Sequence, residues 1–482
     1  MESPGNHPTS SHPTRTGTGD TSSSTLSRRG LLGGLAAAAV AGWSAADGRW
    51  ATPAEASTGK VAALPPLDGT LETAAEVTAG FGHVFGGYIT GTPWAVLRPG
   101  SVQDIVEMVR YARANGLTIA VNGRGGTAPD LESHSNYGQA EVPGGIAVDA
   151  RSLSAVHSVD SGGALVDAGA TLADVLDVAL PQGLTLPSLP DYMHLSVGGL
   201  LSVGGIGDRV QKYGMVIDNV EWIEVVTGEG SLLTATPTVH PELFAAVLGG
   251  GGQFGIITRA KLRLVRAPKH AVTFALFYDD LGDYLADQEM LLADGRFDAV
   301  AGQVVRKADD SGWRYALGPT AYYDDTPPDR DKLLTGLSDN RSEAQIQDLS
   351  YHDLLYRLDP VIVQLKAAGF WAQRKPWASF LVPASKAQEF MTATAAELTQ
   401  ADLGAGFPAP DDTDTAGMLV RNRRLYDRVV QAGGKRYLIG AIPDMTQADW
   451  QRHYGPLWCL LGAAKRSYDP DNVLTPGQGI FP

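Results

Sequence analysis

The sequence predicts an α+β protein built from two lobes. The chain has 482 residues, of which 44% are hydrophobic, so it is long enough to bury more than one core. Its first half alternates helix-like and strand-like segments but also contains a β-hairpin signature, which argues against a single parallel sheet. Near residue 268 the composition changes to more charge and fewer glycines, which indicates a second domain.

The elements of the first lobe follow from capping and hydrophobic patterns. Ser101 and Asp104 form a capping-box pattern ahead of an apolar stripe, and an Asn-Gly pair ends this helix. Thr171 and Asp174 repeat the pattern at a second helix. The strand-like segments LTIAV, GGIAVDA and GALVDAG lie between these two helices. Further along the chain, VEWIEVV and SLLTAT flank the turn at 227–230 and are predicted to form a hairpin.

The second half of the chain shows the same alternation. Strands are predicted over 271–278, 299–306 and 313–323, and a helix over 281–292. One amphipathic helix is predicted over 447–466, and it leads into the terminal segment DPDNVLTPGQGIFP.

Charge and cysteine content exclude several functions. The formal net charge is −15 and there is no basic block, so no nucleic-acid partner is expected. Cys459 is the single cysteine, which excludes an internal disulfide and a cysteine-cluster metal site, and no metal centre is predicted. The 57 glycines are clustered without a three-residue period, which indicates tight turns or loops that approach a ligand.

The N-terminus has the features of an export signal. Residues 1–26 are polar, and the segment SRRGLLGGLAAAAVAGW then places two arginines before a short Ala-rich run. This is typical of the twin-arginine route, which exports proteins already folded, commonly with a cofactor. The predicted cleavage site is AEA at 54–56, so residues 1–56 form the signal region, and the exported chain starts near Ser57 without stable membrane association. An uncleaved membrane anchor is the alternative.

The longest glycine run does not fit a dinucleotide-binding motif. Residues 250–255 read GGGQFG, but they follow a helix-like segment and precede a strand-like one, the reverse of the order in a Rossmann site. The sequence also lacks the local motifs of serine hydrolases, zinc proteases and P-loop proteins. What remains is clustered glycines together with isolated titratable residues.

Four segments carry a resemblance to a known family. They are HSNYGQA, PDYMHLSVGGLLSVGGI, ELFAAVLGGGGQFGIITRA and DPDNVLTPGQGIF. In this order and spacing, the chain from about residue 60 to 482 resembles the flavin-linked oxidases of the vanillyl-alcohol-oxidase superfamily, most of all cytokinin dehydrogenases and their bacterial relatives. The resemblance implies a two-lobed, PCMH-type FAD-binding domain built from both chain ends, residues 57–267 and 436–482, with an inserted α+β substrate cap domain at 268–435.

The resemblance also implies which residues bind FAD. Glycines in such loops let backbone N–H groups reach the pyrophosphate and the ring oxygens without a side-chain clash. The implied cofactor-binding residues outside the histidine segment are Ser196, Ser202, Ile206, Ile257, Tyr437, Thr475 and Gln478.

The histidine segment allows two alignments with the family. In one, HSNYGQA is the anchor, His134 is bonded covalently to FAD, Ser133 and Ser135 flank it, and Gln139 contacts the cofactor. In the other, the loop NGRGG at 122–126 is the anchor, no histidine is at the linkage position, and FAD is bound noncovalently. The first is preferred because an isolated histidine in a polar loop otherwise has no role beyond solvation.

Asp191 lies where cytokinin dehydrogenases have their catalytic aspartate, directly before a tyrosine. The implied reaction oxidises a small amine or alcohol by hydride transfer to FAD, with Asp191 accepting the N–H or O–H proton and desolvation raising its pKa. Oxygen or a quinone is the expected electron acceptor. Ala301 stands where family members often have an acidic residue, which argues against cytokinin as the substrate. The alternatives are an oxidase of natural-product metabolism and a nonredox FAD-binding protein.

Overall fold

The computed structural model describes residues 40–56, 61–83, 85–88, 91–123, 137–307, 311–369, 373–398 and 415–481. All structural statements below concern these residues. The strands are β1 Gly42–Ser44, β2 Arg49–Ala51, β3 Ala62–Ala63, β4 Thr70–Glu72, β5 Ala95–Arg98, β6 Ile119–Asn122, β7 Ile146–Asp149, β8 Val156–Asp160, β9 Gly163–Asp167, β10 Leu184–Thr185, β11 Val220–Val226, β12 Leu232–Ala235, β13 Ile256–Leu262, β14 Val265–Arg266, β15 His270–Tyr278, β16 Ala299–Arg306, β17 Trp313–Tyr323, β18 Gln345–Ser350, β19 Ala378–Leu381 and β20 Lys435–Gly440. The helices are α1 Pro53–Ala56, α2 Ala75–Gly80, α3 Val102–Ala114, α4 Leu172–Ala179, α5 Val197–Val203, α6 Val210–Tyr213, α7 Pro241–Val247, α8 Leu281–Asp294, α9 Arg330–Leu333, α10 Tyr351–Leu355, α11 Asp359–Ala367, α12 Ala384–Ala395, α13 Thr415–Gln431, α14 Gln447–Tyr454 and α15 Trp458–Tyr468.

The first sheet is mixed and has the order β4-β5-β7-β6. Strands β5, β7 and β6 are parallel, and β4 is antiparallel to β5. Helix α3 covers one face, with Ile105, Met108 and Val109 buried against the strands. The chain end joins this lobe, because the Ile119 N–H donates to the Val473 carbonyl at 2.9 Å. Distant parts of the chain therefore build one layer.

The second sheet is antiparallel and has the order β12-β11-β13-β9-β8. Strands β11 and β12 form the predicted hairpin, which confirms that the first half of the chain is not a single parallel sheet. Helices α4, α5 and α7 pack on this sheet through buried aliphatic residues such as Leu172, Leu201 and Leu243. This cluster is the larger core of the first half of the chain.

The third sheet lies in the part of the chain where the composition changes. It is antiparallel, in the order β16-β17-β15-β18, and its predicted strands are confirmed to within a residue or two. A separate core formed with α8 includes Phe274, Tyr284 and Leu317. The mixed α+β class is therefore confirmed, whereas the domain boundaries at 57, 268 and 436 stay predictions.

Two local predictions at helix ends need correction. At α3, Ser101 makes no side-chain cap bond, whereas at α4 the Thr171–Asp174 capping box is present. The helix predicted over 447–466 is two helices, α14 and α15, because Gly455 at φ 56° is followed by a proline at the break. Within the described ranges, every helix is too short or too polar to cross a bilayer.

Asp104 has a larger role than the predicted cap. Its carboxylate is buried and accepts hydrogen bonds from the backbone N–H groups of Asp68, Gly69 and Gly100, each at 2.8 Å. These bonds hold the loop before β4 against the start of α3. A carboxylate with several N–H donors tolerates burial because its lone pairs are satisfied.

Glu141 is also a buried carboxylate, but it differs from Asp104 in its hydrogen bonding. It is only 2% exposed, and in the described part of the chain its Oε1 atom has no hydrogen-bond donor. Burial in a site without a compensating cation raises the pKa of Glu141 from 4.5 to about 7.

Replacement of Asp104 by alanine is expected to lower the free energy of unfolding by about 3 kcal/mol, because three backbone N–H groups lose their shared carboxylate acceptor. Urea denaturation followed by tryptophan fluorescence measures this. The exposed Gln103→Ala variant on the same helix is the control and should stay within about 0.5 kcal/mol of the parent. Equal stability of the two variants would contradict the role of Asp104.

Replacement of Glu141 by glutamine should change how stability depends on pH. The raised pKa means that the folded protein holds the proton more tightly, so this contribution is fully present below pH 4.5 and is lost as pH rises through about 7. At pH 8 the variant should therefore be the more stable protein by about 3 kcal/mol, and the difference should vanish near pH 4. Denaturation midpoints across this range test it, with the exposed Glu76→Gln variant showing the parental profile.

Candidate functional site

A deep cleft lies between the first and second sheets. It encloses about 1040 Å³, part of it open to solvent. Predicted cofactor residues from four separate segments line it: Gln139, Ser196, Ser202, Ile257 and Thr475. Its walls are otherwise mostly backbone and small or aliphatic side chains, which suits a large flat ligand.

The start of α5 forms one wall of the cleft. Ser196 precedes the helix in an extended conformation, and its hydroxyl makes no cap bond. A Cβ on Gly123 would lie 2.0 Å from the Ser196 Oγ, so only glycine fits opposite it. A Cβ on Gly199 would have only the Ser196 Oγ within 4 Å and would otherwise occupy the cleft. These glycines keep the space free for a ligand.

The glycine run before β13 forms a second wall. It connects α7 to β13, so the order is helix, turn and strand, and the exclusion of a Rossmann motif is confirmed. Gly251 and Gly252 have φ values of +65° and +75°, and the Gly251 N–H donates to the Ser202 carbonyl at 2.8 Å. The sequence analysis named Ile257 from this segment but missed the cleft-lining Gly251, Gly252 and Gly255. The clustering of glycines in this part of the sequence was the signal that could have identified them.

Strand β20 joins two predicted residues through one carbonyl. The Nε2 atoms of Gln139 and Gln478 donate to the Leu438 oxygen at 2.8 Å and 3.2 Å. Ile439, the next residue, lines the cleft and was not predicted. Gln478 therefore does not line the cleft itself. It hydrogen-bonds to the strand that carries the lining residue Ile439.

Tyr437 also acts behind the cleft wall. Its hydroxyl accepts a hydrogen bond from the Gly205 N–H at 2.8 Å, which ties β20 to the end of α5. Burial raises the pKa of Tyr437, so the hydroxyl stays neutral at physiological pH. On the opposite face of β20, Arg436 is buried and donates to the Gly440 carbonyl at 3.2 Å. Burial lowers the pKa of Arg436 to about 10.

The structure does not bring Ile206 to the cleft. Gly204 and Gly205 have φ values of +124° and +77°, and they turn the chain away after α5. Ile206 is 36% exposed as a result, and it does not line the cleft. Ser133, His134 and Ser135 lie outside the described residues, so both alignments of the histidine segment stay open.

Asp191 lies in the loop between β10 and α5, and it is exposed. None of the described residues hydrogen-bonds to its carboxylate. The adjacent Tyr192 is buried, and the His194 Nε2 lies 3.1 Å from an Asp359 carboxylate oxygen on α11. The loop is thus anchored on both sides while the Asp191 carboxylate stays available.

These features fit FAD. Its isoalloxazine ring is flat and needs close approach of backbone and apolar side chains, which the glycine turns, Ile257 and Ile439 provide. Gln139, Ser196, Ser202 and Thr475 supply polar groups around the same space. The described residues contain no group of three His, Cys, Asp or Glu side chains that could bind a metal ion.

Two family descriptions match the chain. The first, FAD binding domain, matches residues 93–236. The second, cytokinin dehydrogenase 1, FAD and cytokinin binding, matches residues 307–407 and 407–481. The second match covers β17, β18 and β20, so it begins in the third sheet and ends at the C-terminal wall of the cleft.

Curated relatives are similar over most of their length. An uncharacterised oxidoreductase, ORF5 in the fasciation locus of Rhodococcoides fascians, is 35% identical over 430 residues, which cover 82% of this chain and 95% of that protein. Cytokinin dehydrogenase 2 of Arabidopsis thaliana is 31% identical and covers 86% of this chain and 94% of the plant protein. Cytokinin dehydrogenase 10 of Oryza sativa subsp. japonica is 31% identical, with coverages of 84% and 87%. The chain therefore belongs to the cytokinin dehydrogenase family of FAD-dependent oxidoreductases, with a PCMH-type FAD-binding domain and a cytokinin-binding domain.

Proposed function

We propose that this enzyme oxidises a small amine or alcohol by hydride transfer to FAD, with Asp191 as the base that accepts the substrate proton. The observation that carries the proposal is the exposed Asp191 carboxylate, which has no hydrogen-bond donor among the described residues and lies four residues before cleft-lining Leu195. A carboxylate already engaged by the protein would be a poorer proton acceptor.

Bound FAD supplies the two-electron acceptor for this reaction. Gly199 in α5 and Gly251 in the turn before β13 would let the backbone approach FAD, and Ile257 and Ile439 would shield it from water. Asp191 takes the N–H or O–H proton as the C–H bond of the substrate is broken, so that no cation is left behind. Without that proton transfer the oxidised substrate would carry a full positive charge.

The substrate domain is proposed to be the third-sheet region, inserted between the two parts of a two-lobed flavin domain. The pairing of Ile119 with residues 473–475 supports a flavin domain made from both chain ends. Ala301 lies exposed on β16, opposite Gly318 on β17. Because alanine supplies no carboxylate there, a substrate other than cytokinin, such as a natural-product amine or alcohol, is the second candidate.

The remaining assignments are part of the same proposal. His134 is the covalent FAD ligand under the preferred alignment, with noncovalent FAD as the other case. Oxygen or a quinone accepts the electrons. The protein is exported by the twin-arginine route.

Replacement of Asp191 by asparagine should slow flavin reduction by roughly 10² to 10⁴-fold while FAD stays bound, because the amide cannot accept the proton. Anaerobic stopped-flow mixing with a panel of small amines and alcohols, including a cytokinin, measures the rate of flavin bleaching. The Glu289→Gln variant, which changes an exposed carboxylate on α8, is the control and should reduce at the parental rate. Parental reduction by the Asp191 variant would remove this residue from the mechanism.

Acid precipitation separates the two modes of FAD binding. If His134 is the link, yellow flavin stays in the protein pellet, and the His134→Ala variant releases it to the supernatant. The His157→Ala variant, which changes another histidine far from the segment in sequence, should keep the flavin in the pellet. Flavin in the supernatant of the parent protein would instead favour the alignment on the loop at 122–126.

A further inference from the structure

A β-hairpin formed by β1 and β2 lies within the segment that the sequence analysis assigned to the export signal. Trp43 on β1 is only 4% exposed and packs in the same core as Leu97 of β5 and Ile105 of α3. Its indole stacks on Trp94 at a centroid distance of 4.5 Å and meets Trp50 edge-on at 5.3 Å. A buried tryptophan of this kind is a large part of the apolar area that a small core removes from water.

Hydrogen bonds fix the hairpin to the first lobe. The Trp43 N–H donates to the Tyr111 hydroxyl at 2.6 Å, and that hydroxyl donates to the Ala62 carbonyl at 2.7 Å. Strand β1 pairs with β2 on one side and with β3 on the other. Removing the hairpin would leave the Tyr111 ring uncovered and would expose the edge of β3.

The AEA tripeptide at 54–56 is itself part of this structure. It lies in α1, and the Glu55 carboxylate accepts hydrogen bonds from Arg49 at 2.6 Å and from the Thr52 N–H at 2.8 Å. A peptidase binds an extended and accessible segment, so cutting here would require α1 to unwind. Twin-arginine export adds to this obstacle, because the protein is folded before it meets the peptidase.

In the described part of the chain, backbone pairing begins at Ala41, at the other end of the hairpin. Ala41 donates to the Ala51 carbonyl at 2.8 Å and accepts from the Leu64 N–H at 3.0 Å, and both bonds are at the open end of the strand. The sequence around this residue is Ala39-Val40-Ala41, a small-x-small pattern like AEA at the end of the Ala-rich run. Freeing Ala41 breaks two hydrogen bonds at the open end of the strand and leaves Trp43 buried, whereas cleavage after Ala56 requires α1 to unwind.

We propose that the export signal is cut between Ala41 and Gly42, and that residues 42–56 remain in the exported enzyme as part of its flavin domain. One water hydrolyses the peptide bond and leaves a carboxylate on Ala41 and an ammonium group on Gly42. Glycine suits the new terminus, since a Cβ there would lie 1.9 Å from the Ala62 carbonyl oxygen. The proposal rests on the proposed export and is independent of substrate, base and flavin linkage.

The intact mass of the exported protein tests the cut directly. The full chain is produced in a host with a twin-arginine system, and the culture medium and periplasm are analysed by mass spectrometry with N-terminal peptide mapping. The expected N-terminus is Gly42. An N-terminus at Ser57, a cut anywhere within 43–56, or a chain that is not exported or stays uncut would overturn the proposal.

A second experiment does not depend on export. Leaderless chains that start at Gly42 and at Ser57 are produced in the cytoplasm and compared by thermal unfolding and flavin content. The Gly42 chain should fold, whereas the Ser57 chain should be insoluble or unfold at a clearly lower temperature. In the Gly42 chain, Trp43→Ala should lower Tm by about 5 °C, and Ala46→Ser, an exposed change in the turn of the same hairpin, should leave it unchanged. Equal Tm values for the two chains would show that the hairpin is dispensable. Both readouts are independent of activity, so failure here is distinct from failure of the proposed oxidation.

Discussion

The buried ion pair between Lys465 and Asp469 is the contact on which the cofactor cleft depends most. The Lys465 Nζ donates to Asp469 at 2.7 Å, and the same carboxylate accepts from the N–H groups of Val473 and Leu474. This holds the terminal segment beside β6 and places Thr475 at the cleft. A buried pair contributes little net stability but is costly to break, since either partner alone leaves an unpaired charge inside the protein. The role of this ion pair is to fix the position of the terminal segment.

Local signals in the sequence predicted strands such as those over 271–323 and helices such as α3, α4 and α8, and they failed where a distant group competed. The Thr171–Asp174 box formed because both partners lie within one turn. The box expected at Ser101 did not, because the N–H groups of the loop at 68–69, some 35 residues away in sequence, take the Asp104 carboxylate. The break at Gly455 did have a local signal, because a proline follows this glycine. The prediction was one helix because the amphipathic pattern continues on both sides of the pair.

The cleft could be predicted only by resemblance to a family. Gln139 and Leu438 are 299 positions apart in sequence and meet through one hydrogen bond, and no periodicity links them. Ile439 was missed for the same reason, since it becomes a lining residue only when separate segments meet. Ile206 stays a prediction, since two glycines at positive φ precede it and it does not line the cleft.

The exposure of Asp191 bears on how the proposed base is activated. The contact between His194 and Asp359 joins its loop to α11, but both side chains are about a third exposed, and such pairs contribute at most about 1 kcal/mol. The buried Tyr192 therefore does more than this ion pair to hold the loop in place. A substrate that covers the Asp191 carboxylate would remove water from it, which makes the carboxylate a better proton acceptor only while a substrate is bound. Activation would then depend on how well the substrate fits the third-sheet region, so that changes on β16 can alter which molecules are oxidised while the cofactor cleft stays the same.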